Sequence, residues 1–274
     1  MTTEKIEGVV FDWAGTTVDF GCFAPVNAFL RIFANAGVSV TLEEARKPMG
    51  MLKRDHIKTM LAMPRIEALW REKKGRGFDD ADVNALYADF EPILLSSLAR
   101  YTEPLPCVVE TVNILREKGC KIGSTTGYTD GMMELVTKGA RDKGYQPDCW
   151  FTPDATGSMG RPYPYMIYRN MEKLRIAAPW RVLKVGDTAS DIREGLQAAV
   201  WSVGVIIGSS EMGLDRAEFD NLPEEGKKAA AARTRELFVS YGAHFTIETM
   251  KELPALIERI DGLLSQGQRP YGSL

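Results

Sequence analysis

Short apolar runs that end on a polar residue recur along this chain, separated by stretches with helical spacing. Ile6-Glu7-Gly8-Val9-Val10-Phe11 ends at Asp12, Lys121 to Thr125 ends in the hydroxyls before Gly127, and Arg181 to Val185 ends in Gly186-Asp187. Trp201 to Ile206 is a fourth such run and Ala243 to Ile247 a fifth. Runs this short and this apolar read as buried strands. Between them, 108–118 and 132–143 place apolar residues at helical spacing and stop at Gly119 and Gly144, while 191–200 joins the third strand to the fourth. Strand–helix alternation predicts an α/β, Rossmann-like, doubly wound and mostly parallel sheet covered on both faces. Ligands of such sheets gather at the carboxyl ends of the strands, where these polar endings lie.

The stretch from Cys22 to Ala99 breaks the alternation and reads as helices alone. Pro25 to Ala36 is bounded by a proline in its first turn and Gly37 past its end; Thr41-Leu42-Glu43-Glu44 is a capping box. Met51 to Leu61 and Asp80 to Leu98 follow, the latter with Leu86, Phe90, Ile93 and Leu94 on one side. The expected organisation is an α/β core from 1–20 and 100–274, with a helical cap, 21–99, inserted after the first strand. Gly75–Gly77 and Thr102–Pro106 are the expected flexible joints. The charged, alanine-rich run Glu224 to Arg235 reads as a solvated helix.

Composition narrows the function classes. The 274 residues carry a formal charge of −3, with 45% hydrophobic and 26% charged residues, so nothing draws the chain to nucleic acid or to an anionic membrane. No apolar run approaches the ~20 residues of a membrane span. The N-terminal residues show no secretory pattern, and the cysteines at 22, 107, 120 and 149 are scattered without a CxxC pair. A cytoplasmic protein with reduced thiols is expected.

The strand endings share one chemistry. Asp12-Trp13-Ala14-Gly15-Thr16 sets a carboxylate on a tight turn, and Ser124-Thr125-Thr126-Gly127 supplies hydroxyl and amide donors. Gly160-Arg161-Pro162 brings a fixed cation, expected at a helix start, and Gly186-Asp187-Thr188-Ala189-Ser190-Asp191 brings two acids four apart. Together they offer a carboxylate nucleophile, an oxygen-rich site for a hard divalent cation, and donors for a phosphoryl group. Mg2+ between Asp12 and Asp187 would offset repulsion between acids and an anionic substrate. Asp191 is expected to stand behind the ligands rather than touch the ion, and Lys184 to be a packing residue of its strand.

Asp12, Thr126, Arg161 and the Asp187/Asp191 pair, in that order, resemble the four motifs of the haloacid dehalogenase-like superfamily, and the helical insert matches its C1 cap. Phosphatases and mutases of that superfamily carry a second Asp two residues after the nucleophile, to protonate a leaving oxygen. Here that position is Ala14, which offers a metal its backbone carbonyl but has no proton to give. A phosphorus–carbon bond removes the conflict: its cleavage leaves a carbanion, which needs an electron sink such as a lysine imine. Pro48-Met49-Gly50-Met51-Leu52-Lys53-Arg54-Asp55-His56, with Thr125-Thr126-Gly127-Tyr128 and Gly160-Arg161-Pro162-Tyr163-Pro164, resembles the phosphonatase (phosphonoacetaldehyde hydrolase) family.

That resemblance implies cleavage of phosphonoacetaldehyde to acetaldehyde and phosphate, within 2-aminoethylphosphonate degradation. It implies a Schiff base on Lys53, phosphoryl transfer to Asp12, catalytic parts for His56, Thr126 and Arg161, and substrate contacts from Met49, Gly50, Tyr128 and Cys22. It further implies Mg2+ held by Asp12, Ala14 and Asp187, and a homodimer, for which the apolar cap residues Phe29, Ile32 and Phe33 are the expected surface. A phosphatase or phosphomutase acting on a small phosphate ester is the alternative, and a non-catalytic phosphate-binding scaffold a third reading.

Overall fold

The computed structural model describes residues 4–271. Its centre is a five-stranded sheet built from β1 (Gly8–Phe11), β2 (Lys121–Ser124), β3 (Val182–Gly186), β4 (Trp201–Val205) and β5 (Phe245–Ile247), in the order β2-β1-β3-β4-β5. Every neighbouring pair is parallel, so the sheet is wholly rather than mostly so. Side chains alternate between its faces: Val9, Phe11 and Leu183 join one apolar cluster, while Val10 and Val182 pack with Ile167 and Met171 in another. Burial on both faces explains why the strands read as apolar runs.

The chain leaves β1 for β2 on one side and later returns to β3 on the other. β1 and β3 are therefore adjacent strands whose connections run in opposite directions, the switch point of an open α/β sheet. Phe11 is level with Ser124 on one side and Val185 on the other. That register delivers Asp12, Thr125–Thr126 and Asp187 to one edge.

Five helices fill the interval after β1: α1 (Phe23–Asn35), α2 (Leu42–Arg46), α3 (Lys53–Leu61), α4 (Pro64–Lys74) and α5 (Asp80–Leu98). The capping box at Thr41 is present, and Asp79 forms a second one before α5. The helix α4 has no counterpart in the sequence reading: only Ile66 and Trp70 on its face are buried, and charges surround them. Phe29 of α1 stacks on Phe90 of α5 at 4.5 Å between ring centroids. Phe29, Ile32 and Phe33 are wholly enclosed by the cap itself, so the expected use of these three as a dimer surface is wrong.

The second half adds α6 (Val108–Glu117), α7 (Asp130–Arg141), α8 (Tyr165–Leu174), α9 (Ala189–Gln197), α10 (Arg216–Asn221), α11 (Glu224–Ser240) and α12 (Leu253–Ser265). The charged run from Glu224 is helical as expected, although Ala230, Ala231, Thr234 and Phe238 are buried, so it is anchored rather than fully solvated. No helix among the described residues is long and apolar enough to cross a membrane.

Candidate active site

Asp12 stands one residue past β1, with its backbone N–H donating to the Val185 carbonyl of β3 at 2.9 Å. Its turn depends on Gly15, at φ +88°, where a Cβ would come within 2.1 Å of Asp187 Oδ2. Only glycine allows both that conformation and so close an approach. Asp187 in turn accepts from Thr16 Oγ1 at 3.1 Å and from the Ser210 amide at 2.8 Å. Asp12, Asp187 and Asp191 offer oxygens that all lie within 4.8 Å of one another, and all three residues are buried. Burial, with the charges of Asp12 and Asp191, pushes the Asp187 carboxyl well above its ordinary range. Buried carboxylates held this close could share a cation, and an all-oxygen donor set suits a hard one.

Asp191 is less available than Asp187. Its Oδ2 accepts from the Thr188 amide and hydroxyl, closing the capping box of α9, while Oδ1 lies 3.0 Å from both Arg161 Nη1 and Lys184 Nζ. Those partners hold its carboxyl below the usual range despite its burial. Oδ2 is committed to the α9 cap, whereas Oδ1 has cations beside it but no hydrogen-bond donor.

Arg161 reaches the site from a loop rather than a helix start, since α8 begins only at Tyr165. Its Nη2 donates to Asp12 Oδ1 at 2.5 Å and to the Thr125 carbonyl at 2.9 Å. Burial disfavours its charge, but Asp12, Asp191 and Glu194 outweigh that and raise its pKa above the ordinary arginine value. Lys184 is not a packing residue. It is fully buried on β3, donates to Thr125 Oγ1 at 2.8 Å, and pairs with Asp191 and Glu194. Thr125, among the expected hydroxyl donors, and Glu194, which the motif reading passed over, complete this layer.

The cap closes over these groups with the segment 49–53. Ser190 Oγ donates to the Met49 carbonyl at 3.1 Å, and Gly50, at φ +85°, sits where a Cβ would come within 2.5 Å of Thr188 Oγ1. Lys53, the first residue of α3, is then carried into the interface. Its Nζ lies 5.0 Å from the centroid of the Tyr128 ring, and it is 3% exposed. Burial lowers its pKa below the ordinary lysine value, and Arg161 acts in the same direction, against Cys22, Asp12 and Asp187. A helix N-terminus adds a further bias toward the neutral amine.

Asp12, Ala14, Cys22, Met49, Gly50, Lys53, Thr126, Gly127, Tyr128, Arg161 and Thr188 enclose a cavity of about 20 Å³. All but one of the expected catalytic and substrate-contact residues thus converge on one space. The exception is His56, one helical turn behind Lys53. It stacks on Phe29 at 3.8 Å, and its Nε2 lies 2.9 Å from the Ala45 carbonyl, inside the cap. Burial and the nearby Lys53 charge hold its imidazole neutral. The Tyr128 hydroxyl is buried with no protein partner, and burial keeps it and the Cys22 thiol protonated. A much larger open cleft, about 800 Å³ between α7 and α8, holds none of these residues.

A carboxylate beside a fixed guanidinium, facing a desolvated amine across a small cavity, can attack an electrophilic phosphorus while the amine condenses with a carbonyl. Residues 6–199 match the model of the haloacid dehalogenase-like hydrolases, and the chain belongs to that family. Within it, the chain is 60% identical to the phosphonoacetaldehyde hydrolase of Lysinibacillus sphaericus over 94% of its own length and 96% of the relative's. It is 53% identical to the bifunctional phosphonoacetaldehyde hydrolase/aminoethylphosphonate transaminase of Clostridioides difficile, again over 94% of this chain but only 40% of that longer protein. The crystal structure of a phosphonoacetaldehyde hydrolase-like protein from Oleispira antarctica superimposes with a TM-score of 0.94 at 35% identity, covering 98% of this chain and 97% of that one.

Proposed function

We propose that this chain hydrolyses phosphonoacetaldehyde to acetaldehyde and phosphate, with Lys53 acting on the carbon and Asp12 on the phosphorus. The observation that carries the reading is that a buried, pKa-lowered Lys53 and Asp12 line one small cavity, where Ala14 leaves no acid for an oxygen leaving group. A phosphate-ester phosphatase lacks its proton donor in this site, so that alternative has no support here.

The neutral Lys53 amine attacks the aldehyde and expels water as an imine. A carboxylate oxygen of Asp12 then bonds to phosphorus as the phosphorus–carbon bond breaks, its electron pair passing into the protonated imine to form an enamine. Protonation on carbon and hydrolysis of the imine release acetaldehyde, and a second water splits the aspartyl phosphate. Arg161 and Thr126 hold phosphoryl oxygens, Tyr128 and Cys22 face the organic part, and Met49 and Gly50 close the cap loop. His56, neutral and enclosed, packs α3 behind Lys53 through its stack on Phe29. Mg2+, held by Asp12, the Ala14 carbonyl and Asp187, with Asp191 behind them, would supply the positive charge that lets one anion approach another.

The cap, 21–99, works as a separate domain in this reading. A cavity of about 20 Å³ holds little more than one water, and the reading has the cap lift to make room for substrate. A homodimer belongs to the same proposal, placed on the exposed Met159, Tyr163, Tyr165 and Tyr168 beside the Arg161 loop. The four unpaired cysteines suit a reducing cytoplasm. Degradation of the related aminoethylphosphonate fits the fused relative. The test is phosphate release from phosphonoacetaldehyde with and without a metal chelator: the reading expects release that the chelator abolishes and Mg2+ restores. No release from the metal-loaded protein would end it.

A further inference from the structure

Arg161 is held by more groups than phosphoryl binding requires. Its three nitrogens are divided among three carboxylates: Nη2 to Asp12 at 2.5 Å, Nη1 to Asp191 at 3.0 Å and Nε to Glu194 at 3.0 Å. Glu194 lies one turn beyond Asp191 on α9, so both reach the same side of the helix. Its Oε2 also accepts from Thr125 Oγ1 at 2.9 Å and lies 3.3 Å from Lys184 Nζ. Arg161, Lys184, Asp191 and Glu194 are all buried, and their charges cancel as two positive against two negative.

That balance has a consequence for the nucleophile. A guanidinium held at its two Nη atoms alone, by Asp12, Asp191 and the Thr125 carbonyl, can tilt to grip both oxygens of Asp12, the arrangement arginine and carboxylate prefer. Such a grip would neutralise the attacking group and take the donors meant for phosphoryl oxygens. An acceptor at Nε prevents the turn, because it fixes the plane and direction of the fork. Lys184 supplies the charge that lets a second buried acid stand there.

We propose that Glu194 is a positioning residue for the reaction, fixing the Arg161 fork through Nε with Lys184 as its buried counter-charge, so that Asp12 stays free to attack. The proposal rests on the reading of Asp12 as nucleophile and Arg161 as phosphoryl ligand. It touches neither substrate nor Lys53.

The test replaces both partners with apolar groups, Lys184→Met with Glu194→Met, because paired removal of buried opposite charges commonly leaves stability intact, and Asp191, which also loses Lys184, keeps Arg161 and its Thr188 cap. The expected double variant keeps its melting temperature and still gives a borohydride-trapped Lys53 adduct with phosphonoacetaldehyde. Its kcat falls by about ten- to a hundredfold, the range for a catalytic group displaced by about an ångström, while KM moves by less than about threefold. Inhibition by orthovanadate with Mg2+ weakens alongside kcat. A well-folded double variant with wild-type kcat and vanadate affinity overturns the proposal. Should that variant fail to fold, Glu194→Leu decides, since it keeps similar bulk but offers Nε no acceptor and leaves Lys184 paired with Asp191: reduced kcat with intact trapping supports positioning, and wild-type kcat overturns it. Wild-type protein that releases no phosphate from phosphonoacetaldehyde defeats the function instead, and vanadate binding by wild type and variants then still tests the Arg161 clamp.

Discussion

The two walls of the cavity are built on opposite principles. The core wall is dense with charge and almost every charged atom is paired: Arg161 and Lys184 are divided among Asp12, Asp191 and Glu194 within 3.3 Å. The cap wall is apolar and sparsely paired. Lys53 rests on the ring of Tyr128, a core residue, and His56 is stacked on Phe29 with Nδ1 unpartnered. A phosphoryl group needs fixed charges whose directions are set before it arrives. An imine-forming amine needs the reverse, an environment that makes its charge costly so that it is neutral when the aldehyde enters. One cavity holds both because the two walls come from different parts of the chain.

That contrast breaks most clearly when the two reacting groups are removed in turn. Asp12→Asn and Lys53→Arg should each lower kcat by roughly a thousandfold or more, since each removes a group that forms a covalent bond. They differ in what borohydride leaves behind. Asp12→Asn should trap the uncleaved phosphonoethyl group on Lys53, whereas Lys53→Arg should trap nothing, and mass spectrometry separates the two. An adduct on Lys53→Arg would remove the imine from the account.

Packing behind the amine gives the next effect. Phe29→Ala opens a cavity between α1, α3 and α5 and should cost about 3–5 kcal/mol of stability, read by denaturant unfolding. It also removes the ring against which His56 is stacked, so trapping at Lys53 should slow in the folded fraction. A cost below about 1 kcal/mol would mean that the cap does not rely on this stack.

The effect of pH is smaller and its sign follows from burial. The Lys53 pKa is lowered from 10.5, chiefly by desolvation. The free amine therefore persists to lower pH than for an exposed lysine, and the trapping rate should rise with pH through a midpoint below 10.5. Between the folded value and 10.5 the unfolded chain binds more protons, so this group adds stability as pH rises through that window and withdraws it as pH falls. A midpoint at or above 10.5 would show that the cap wall does not desolvate the amine.

Much of the core wall was legible in the sequence, because each strand is an apolar run ended by the polar residue that matters. Asp12, Thr126 and Asp187 needed only their place at a strand end. Glu194 and its bond to Thr125 were not legible, since they arise from the register of β2 beside β1 and the way α9 packs on β3. Lys184 was misread because a lone lysine in a strand carries no mark of which side it faces. The cap wall was legible only through resemblance: helical periodicity assigns Lys53 to a helix but does not say that its first turn points down. The same limit put Phe29, Ile32 and Phe33 on a dimer surface, for an apolar stripe does not reveal whether another helix of the same chain already covers it. It also hid α4, whose two buried residues, Ile66 and Trp70, are too few to show against the charges around them.

The division of labour between the walls is tested most directly by mass analysis of the wild-type protein treated with phosphonoacetaldehyde, Mg2+ and borohydride. The account predicts loss of activity with an ethyl group on Lys53, the reduced remnant of a carbon chain whose phosphorus has already passed to Asp12. Inactivation with no modification at Lys53, or full activity in the presence of substrate and reductant, would contradict it.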